Sequence, residues 1–157
     1  MRFFRLAYGS HHGSMDWAGA LETGAAMLAD SKIEFAWYGT YDSAEERAVA
    51  GVGKLAINMV LLAANALPSG GQLEFAAAGE VGAPRITIRG KGAMLVLDDI
   101  SADAHASGCR RDGAVLKDLN ARYVQPYLTG LLAAELGLVV RVEASGEGQL
   151  EVSSAPA

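Results

Sequence analysis

The chain has 157 residues, 51% hydrophobic and 20% charged, which suits one globular domain around a single core and leaves no low-complexity tract. A formal charge of -5 supplies no basic stripe for a phosphate backbone, so nucleic acid is excluded as a partner. The lone cysteine, Cys109, closes no internal disulfide and points to a reducing, cytoplasmic compartment, while the longest apolar run, residues 55–67, is short, carries Asn58 and Asn65, and predicts no membrane span.

In chain order, "MRFFRLAYG" reads as the last turns of a helix closing on Gly9, with Phe3, Phe4 and Leu6 on it and no matching beginning. "SHHGS" is a loop, and Asp16 is placed to cap a helix that runs to about Ala29 and carries Trp17, Leu21, Met27 and Leu28. In "KIEFAWYG", Ile33, Phe35 and Trp37 alternate with Glu34 and Ala36, the pattern of a half-buried strand. Ser43 and Glu46 form a capping box, and from there Val49, Val52, Leu55, Ala56, Met59, Leu62, Ala63 and Ala66 recur at helical spacing until Pro68-Ser69-Gly70-Gly71. "QLEFAAA" and "PRITIRG" are strands joined by a turn containing Gly79 and Gly82, and "AMLVL" after Gly92 is a third. Residues 98–121, with "DD", "SADAHASG" and "RRDG", are predicted to be a long polar surface loop. Pro126 fits the first turn of a helix lined by Tyr127, Leu128, Leu131, Leu132 and Leu136 and ended by Gly137. "LVVRVEA" and "QLEVSSA", split by Gly146 and Gly148, are the last strands. Locally pairing strands beside helices predict an α/β two-layer sandwich, a mixed β-sheet with helices on one face.

The order of these elements resembles the catalytic and ATP-binding domain of histidine kinases, the GHKL or Bergerat fold. In that family the long helix reads N-L-L-x-N-A-x-K-Y-x-P-x-G-G, and "NMVLLAANALPSGG" matches it without a gap from Asn58 to Gly71. In this register the magnesium-holding second asparagine falls on Leu62, which offers a hard cation no oxygen, and the lysine falls on Asn65. The adenine-binding aspartate of D-x-G-x-G falls on Gly90, the next position of that motif's glycines on Gly92, and its last glycine on Met94. The glycines expected before the final helix are replaced by Tyr123-Val124-Gln125-Pro126. Asn58, Leu62, Asn65, Gly90, Gly92 and Met94 are therefore expected to be degenerate nucleotide-site positions, with no cofactor or metal held. Filling the site with leucine removes about 2 kcal/mol of apolar exposure.

The chain is similar to the ChpT-type histidine phosphotransferases of alphaproteobacteria, a kinase-like dimerisation hairpin joined to a degenerate ATP domain. The matching stretches are "RFFRLAYG", "INMVLLAANALPSGG", "GKGAMLVL" and "QPYLTGLLAAELG". The resemblance implies a phosphorelay protein that passes a phosphoryl group between receiver domains of a hybrid histidine kinase and of response regulators, and that dimerises through the hairpin. It divides the chain into the end of a hairpin helix (1–9), a GHKL-like domain (10–153) and a tail (154–157), with Phe3, Phe4 and Leu6 as candidates for hairpin or dimer packing. The family's phosphoacceptor histidine, in an H-[DE] pair on the first hairpin helix, would precede Met1, so no catalytic residue is expected here.

The remaining polar residues read as ordinary. His11 and His12 are solvated loop residues without a following acid, and His105 is a surface residue of the polar connector. Asp98-Asp99 and Arg110-Arg111 are solvated charges, Gly70 and Gly71 are turn glycines, and Gln125-Pro126-Tyr127 mark a helix entry. Two other readings stay open at this level. One is an atypical ATP-binding kinase or ATPase domain, the other a binding module outside phosphorelay that uses the vacated pocket.

Overall fold

The computed structural model describes residues 7–9, 17–38, 51–80, 83–113 and 120–157. Within them the order is α1 (Trp17–Leu28), β1 (Ile33–Tyr38), α2 (Val52–Asn65), β2 (Gly71–Glu80), β3 (Ala83–Lys91), α3 (Asp99–Cys109), α4 (Ala121–Glu135), β4 (Leu138–Ser145) and β5 (Gln149–Pro156). The strands form one mixed sheet, β1-β2-β3-β5-β4, in which β1 runs parallel to β2 and the other neighbours are antiparallel.

Alternation along the strands separates the two faces of the sheet. Leu73 and Phe75, Ile86 and Ile88, Leu138 and Val140, Leu150 and Val152 are buried, whereas Gln72, Glu74, Arg89 and Arg141 stand exposed on the opposite side. The apolar side is covered by α1, α2 and α4, which gives the expected two-layer α/β sandwich. Helix α2 lies at its centre, with Leu55, Met59 and Ala63 fully buried. Its first described residue follows Gly51, whose φ of 100° is a left-handed value that a side chain disfavours. The capping box at Ser43 and Glu46, the Asp16 cap, and Phe3, Phe4, Leu6, His11 and His12 lie outside the described residues.

The structure corrects the sequence reading in four places. Residues 93–97 form no strand: both neighbours of β3 are already occupied by β2 and β5, and the chain leaves the sheet to be pinned by a Val96 amide donating to the Ala66 carbonyl at 2.9 Å. The polar stretch after Asp98 is not one long loop but contains helix α3, whose N-cap is Asp98 accepting from the Ser101 amide at 2.8 Å. Helix α4 begins at Ala121 after the Asn120 cap, so Pro126 sits inside it rather than in its first turn. Strand β5 continues through Ser154, Ala155 and Pro156, and the buried Ser154 hydroxyl accepts from the Ile86 amide at 3.0 Å, so these residues are sheet rather than tail.

Helices α3 and α4 pack closely because glycines face each other's backbones. A Cβ added at Gly108 would collide with the Tyr127 carbonyl oxygen, and one at Gly130 would collide with the His105 carbonyl oxygen and stand 2.7 Å from the Cys109 nitrogen. This contact supplies to α3 the stability that its weakly apolar sequence lacks.

Candidate functional site

A cavity of about 390 Å³ opens where α2, the segment after β3, and the start of α4 meet. Leu62, Asn65 and Ala66 form one wall, Val96, Leu97, Asp98 and Ser101 a second, and Ala121, Arg122, Gln125 and Pro126 a third, with Tyr8 at the rim. Three of the residues singled out in the sequence are thus at one place or next to it: Leu62 and Asn65 line the cavity, and Asn58 lies one turn earlier on the same helix. Gly90, Gly92 and Met94 are not among its lining residues.

Each wall has a local cause. Leu62 belongs to the main core and is only 8% exposed, so its isobutyl group closes the floor with carbon. Gly90 is buried on β3, and a Cβ there would lie 3.0 Å from Leu73 Cδ2 and 3.4 Å from Leu67 Cδ1. A Cβ at Gly92 would lie 2.9 Å from Leu67 Cδ2. Leu67 therefore packs directly against the backbone of residues 90–92, leaving no room for a carboxylate at position 90. Met94 stands half exposed in the irregular segment.

The "PSGG" turn acts through its backbone. Gly70 and Gly71 have φ of 89° and 150°, and a Cβ at either would strike the backbone of Lys32 or Lys91. The Gly71 amide donates to the Lys32 carbonyl at 3.0 Å, tying the start of β2 to the residue before β1. These glycines are required by the close approach of strands, with no ligand invoked.

The interior polar groups form a network that sequence reasoning did not find. Asn58 is fully buried; its Nδ2 donates to the Ala7 carbonyl at 3.1 Å and to the Lys54 carbonyl at 2.9 Å. Gln125, also buried, donates from Nε2 to the Asn58 carbonyl at 2.7 Å and to Thr129 Oγ1 at 2.9 Å, and Thr129 Oγ1 donates to the Gln125 carbonyl at 2.9 Å. Gln125 is thus more than a marker of helix entry: it fastens α4 to α2. The available signal was a glutamine and a threonine four residues apart on one helix face. At the rim, Arg122 Nη2 donates to Asp98 Oδ2 at 3.1 Å, so Asp98 caps α3 and holds α4 together. Burial raises the Tyr8 phenol above its usual pKa.

Among the described residues, two chemically reactive groups lie outside the cavity lining. His105 and Cys109 are one turn apart on α3, half buried, with Nε2 and Sγ 3.7 Å apart. Burial lowers the His105 pKa and, against the opposing Arg110 charge, raises that of the Cys109 thiol. His105 is therefore neither in a loop nor freely solvated. Among the described residues, no three His, Cys, Asp or Glu side chains cluster to hold a metal, and no helix is long and apolar enough to cross a membrane.

Comparison with known proteins places this geometry. The histidine phosphotransferase C-terminal domain family matches residues 19–148, which takes in strands β1 to β4, helices α2 to α4, most of α1 and every residue lining the cavity except Tyr8. The chain belongs to that family. This phosphotransferase-family domain is 29% identical over 150 residues to the protein phosphotransferase ChpT of Brucella abortus (strain 2308), covering 94% of the chain and 68% of that protein. It superposes with a TM-score of 0.79 and 30% identity on a bacterial phosphotransferase of known structure, covering 97% of the chain and 69% of the other. The nucleotide-free catalytic domain of histidine kinase ThkA shares the fold, with a TM-score of 0.59 at 10% identity over 90% of this chain and 92% of that domain. The fold is GHKL-like, as the order of elements implied.

Proposed function

We propose that the chain is the receiver-docking domain of a histidine phosphotransferase in a bacterial phosphorelay, and that it does not bind nucleotide. The observation that carries the reading is Leu62. In a chain of this family it fills with core hydrocarbon the position where the kinase pattern requires an oxygen ligand. Leu67 and Leu73 crowd Gly90, the position of the adenine-binding carboxylate, so the loss is built into the packing of the β2–β3 pair. The alternative of an atypical ATPase lacks support at both positions.

The docking half of the proposal rests on the cavity mouth. Tyr8, Val96 and Leu97 are 40%, 38% and 40% exposed and adjoin one another where the chain enters the domain, an apolar surface next to the hairpin that the family resemblance puts upstream. A receiver seated there would bring its phosphorylated aspartate to the family's phosphoacceptor histidine. In the transfer, a neutral imidazole nitrogen attacks phosphorus, the N–P bond forms, the acyl phosphate O–P bond breaks, and the aspartate leaves as carboxylate.

Two experiments test this. Calorimetric titration with magnesium-ATP is expected to show no binding at micromolar concentrations; micromolar, magnesium-dependent binding refutes the pseudo-nucleotide reading. The protein carrying its upstream hairpin is expected to accept phosphate from a phosphorylated receiver and to bind it less tightly after Val96→Asp or Leu97→Asp. Unchanged affinity in both variants removes this face as the docking surface.

A further inference from the structure

Ala7 and Tyr8 have helical geometry that ends at Gly9, so their carbonyls belong to a helix C-terminus, where acceptors lack partners within the helix. The carbonyls of Ala7 and of Gly9 are met by side chains of α2. Asn58 Nδ2 donates to the Ala7 carbonyl at 3.1 Å, and Lys54 Nζ donates to the Gly9 carbonyl at 2.9 Å. Lys54 and Asn58 are four residues apart and share one face of α2.

This contact is buried and braced. Ala7 is fully buried against Ala20 and Ile57, with Leu61 alongside, a cluster separate from the main core. The Asn58 side chain is also held by Nδ2 donating to the Lys54 carbonyl, and the Asn58 backbone carbonyl receives Gln125 Nε2, which also donates to Thr129 Oγ1. The chain therefore runs from Gly9 through α2 to α4 by consecutive hydrogen bonds, and α2 is anchored in the sheet's core.

We infer that Lys54 and Asn58 are positioning residues: a clamp that caps the helix entering at residues 7–9 and fixes its angle to the domain. The asparagine at the first position of the kinase-like pattern is retained because it has a different partner, the backbone of the incoming chain. For phosphoryl transfer this matters because the reacting atoms must be held in line, and a displacement of about 1 Å can cost a large factor in rate. The catalytic consequence rests on the proposed function; the clamp itself does not.

The decisive measurement is the distance distribution between nitroxide labels at Tyr8→Cys and at Val139→Cys on the exposed edge of β4, in a Cys109→Ser background. The parent is expected to give one narrow distribution. Asn58→Leu, which keeps volume and removes the donor, and Lys54→Met are each expected to broaden it, and Lys54→Arg to restore it. Lys54 lies only half buried, so Lys54→Met keeps the test valid if Asn58→Leu fails to fold. Equally narrow distributions in the Lys54→Met and Asn58→Leu proteins overturn the clamp. In the protein carrying its upstream hairpin, the same variants are expected to lower the transfer rate within the complex about ten-fold while leaving KM for the receiver near its parent value. A parent that transfers to no receiver overturns the proposed function and its catalytic consequence, while the label distances alone decide the clamp.

Discussion

Leu62, and the leucines that crowd Gly90, show how single side chains can close a site by packing. Leu62→Asn would place an amide in the core, and its expected cost is about 2–4 kcal/mol in denaturant unfolding, without gain of magnesium-ATP binding by calorimetry. Gly90→Asp is expected to destabilise at least as strongly, because the Cβ already meets Leu73 at 3.0 Å and the carboxylate would have to sit among leucines. His105 gives a pH test. Burial lowers its native pKa, so below about pH 6.5 the unfolded chain binds a proton that the native state resists. This part of the stability is intact above that value, falls as pH drops toward the depressed native pKa, and then levels off. Thermal melts of the parent and of His105→Gln between about pH 7.5 and about pH 5 are expected to show the smaller loss in the variant. Parallel curves exclude His105 as the source.

Helices α3 and α4 are the elements on which sequence reasoning and structure differ most. "DISADAHASGC" has a weak apolar stripe, and its polar start resembles a loop; only contact with α4 makes it a stable helix. Alanine favours a helix by about 1 kcal/mol over glycine, so Gly130→Ala tests whether contact or propensity decides. The Cβ would collide with the His105 carbonyl, and a net destabilisation of about 1–3 kcal/mol is expected in urea unfolding. A stabilised variant shows that the helices can separate freely. Asp98→Ala removes the α3 cap for about 1 kcal/mol, while the lost contact to Arg122, whose side chain is 65% exposed, adds little.

At the scale of the molecule, one mixed sheet with helices on one face holds the cavity and the entry of the chain on the same side of α2. A ligand that binds only the folded state raises the melting temperature, with a stabilisation that grows as the logarithm of its excess over Kd. Millimolar magnesium-ATP is expected to leave the melting curve in place, and a concentration-dependent rise measured by differential scanning fluorimetry contradicts the proposal. The mixed architecture was readable because each strand carries its period of two and α2 its helical repeat, and because "PSGG" fixes the turn between α2 and β2. The parallel pairing of β1 with β2 and the order that puts β5 beside β3 were not, because pairing partners lie far apart in sequence.

By itself the sequence determined the class of fold, the family pattern and the oxygen ligand missing at Leu62, because these depend on local period, turn chemistry and side-chain identity. Tertiary structure decided that residues 93–97 leave the sheet, that α3 forms, and that Gln125 and Asn58 join in one buried network. Those outcomes depend on which backbones meet across tens of residues: a glycine that admits a neighbouring carbonyl, or an amide that finds the end of an incoming helix, has no signature in its own stretch of chain.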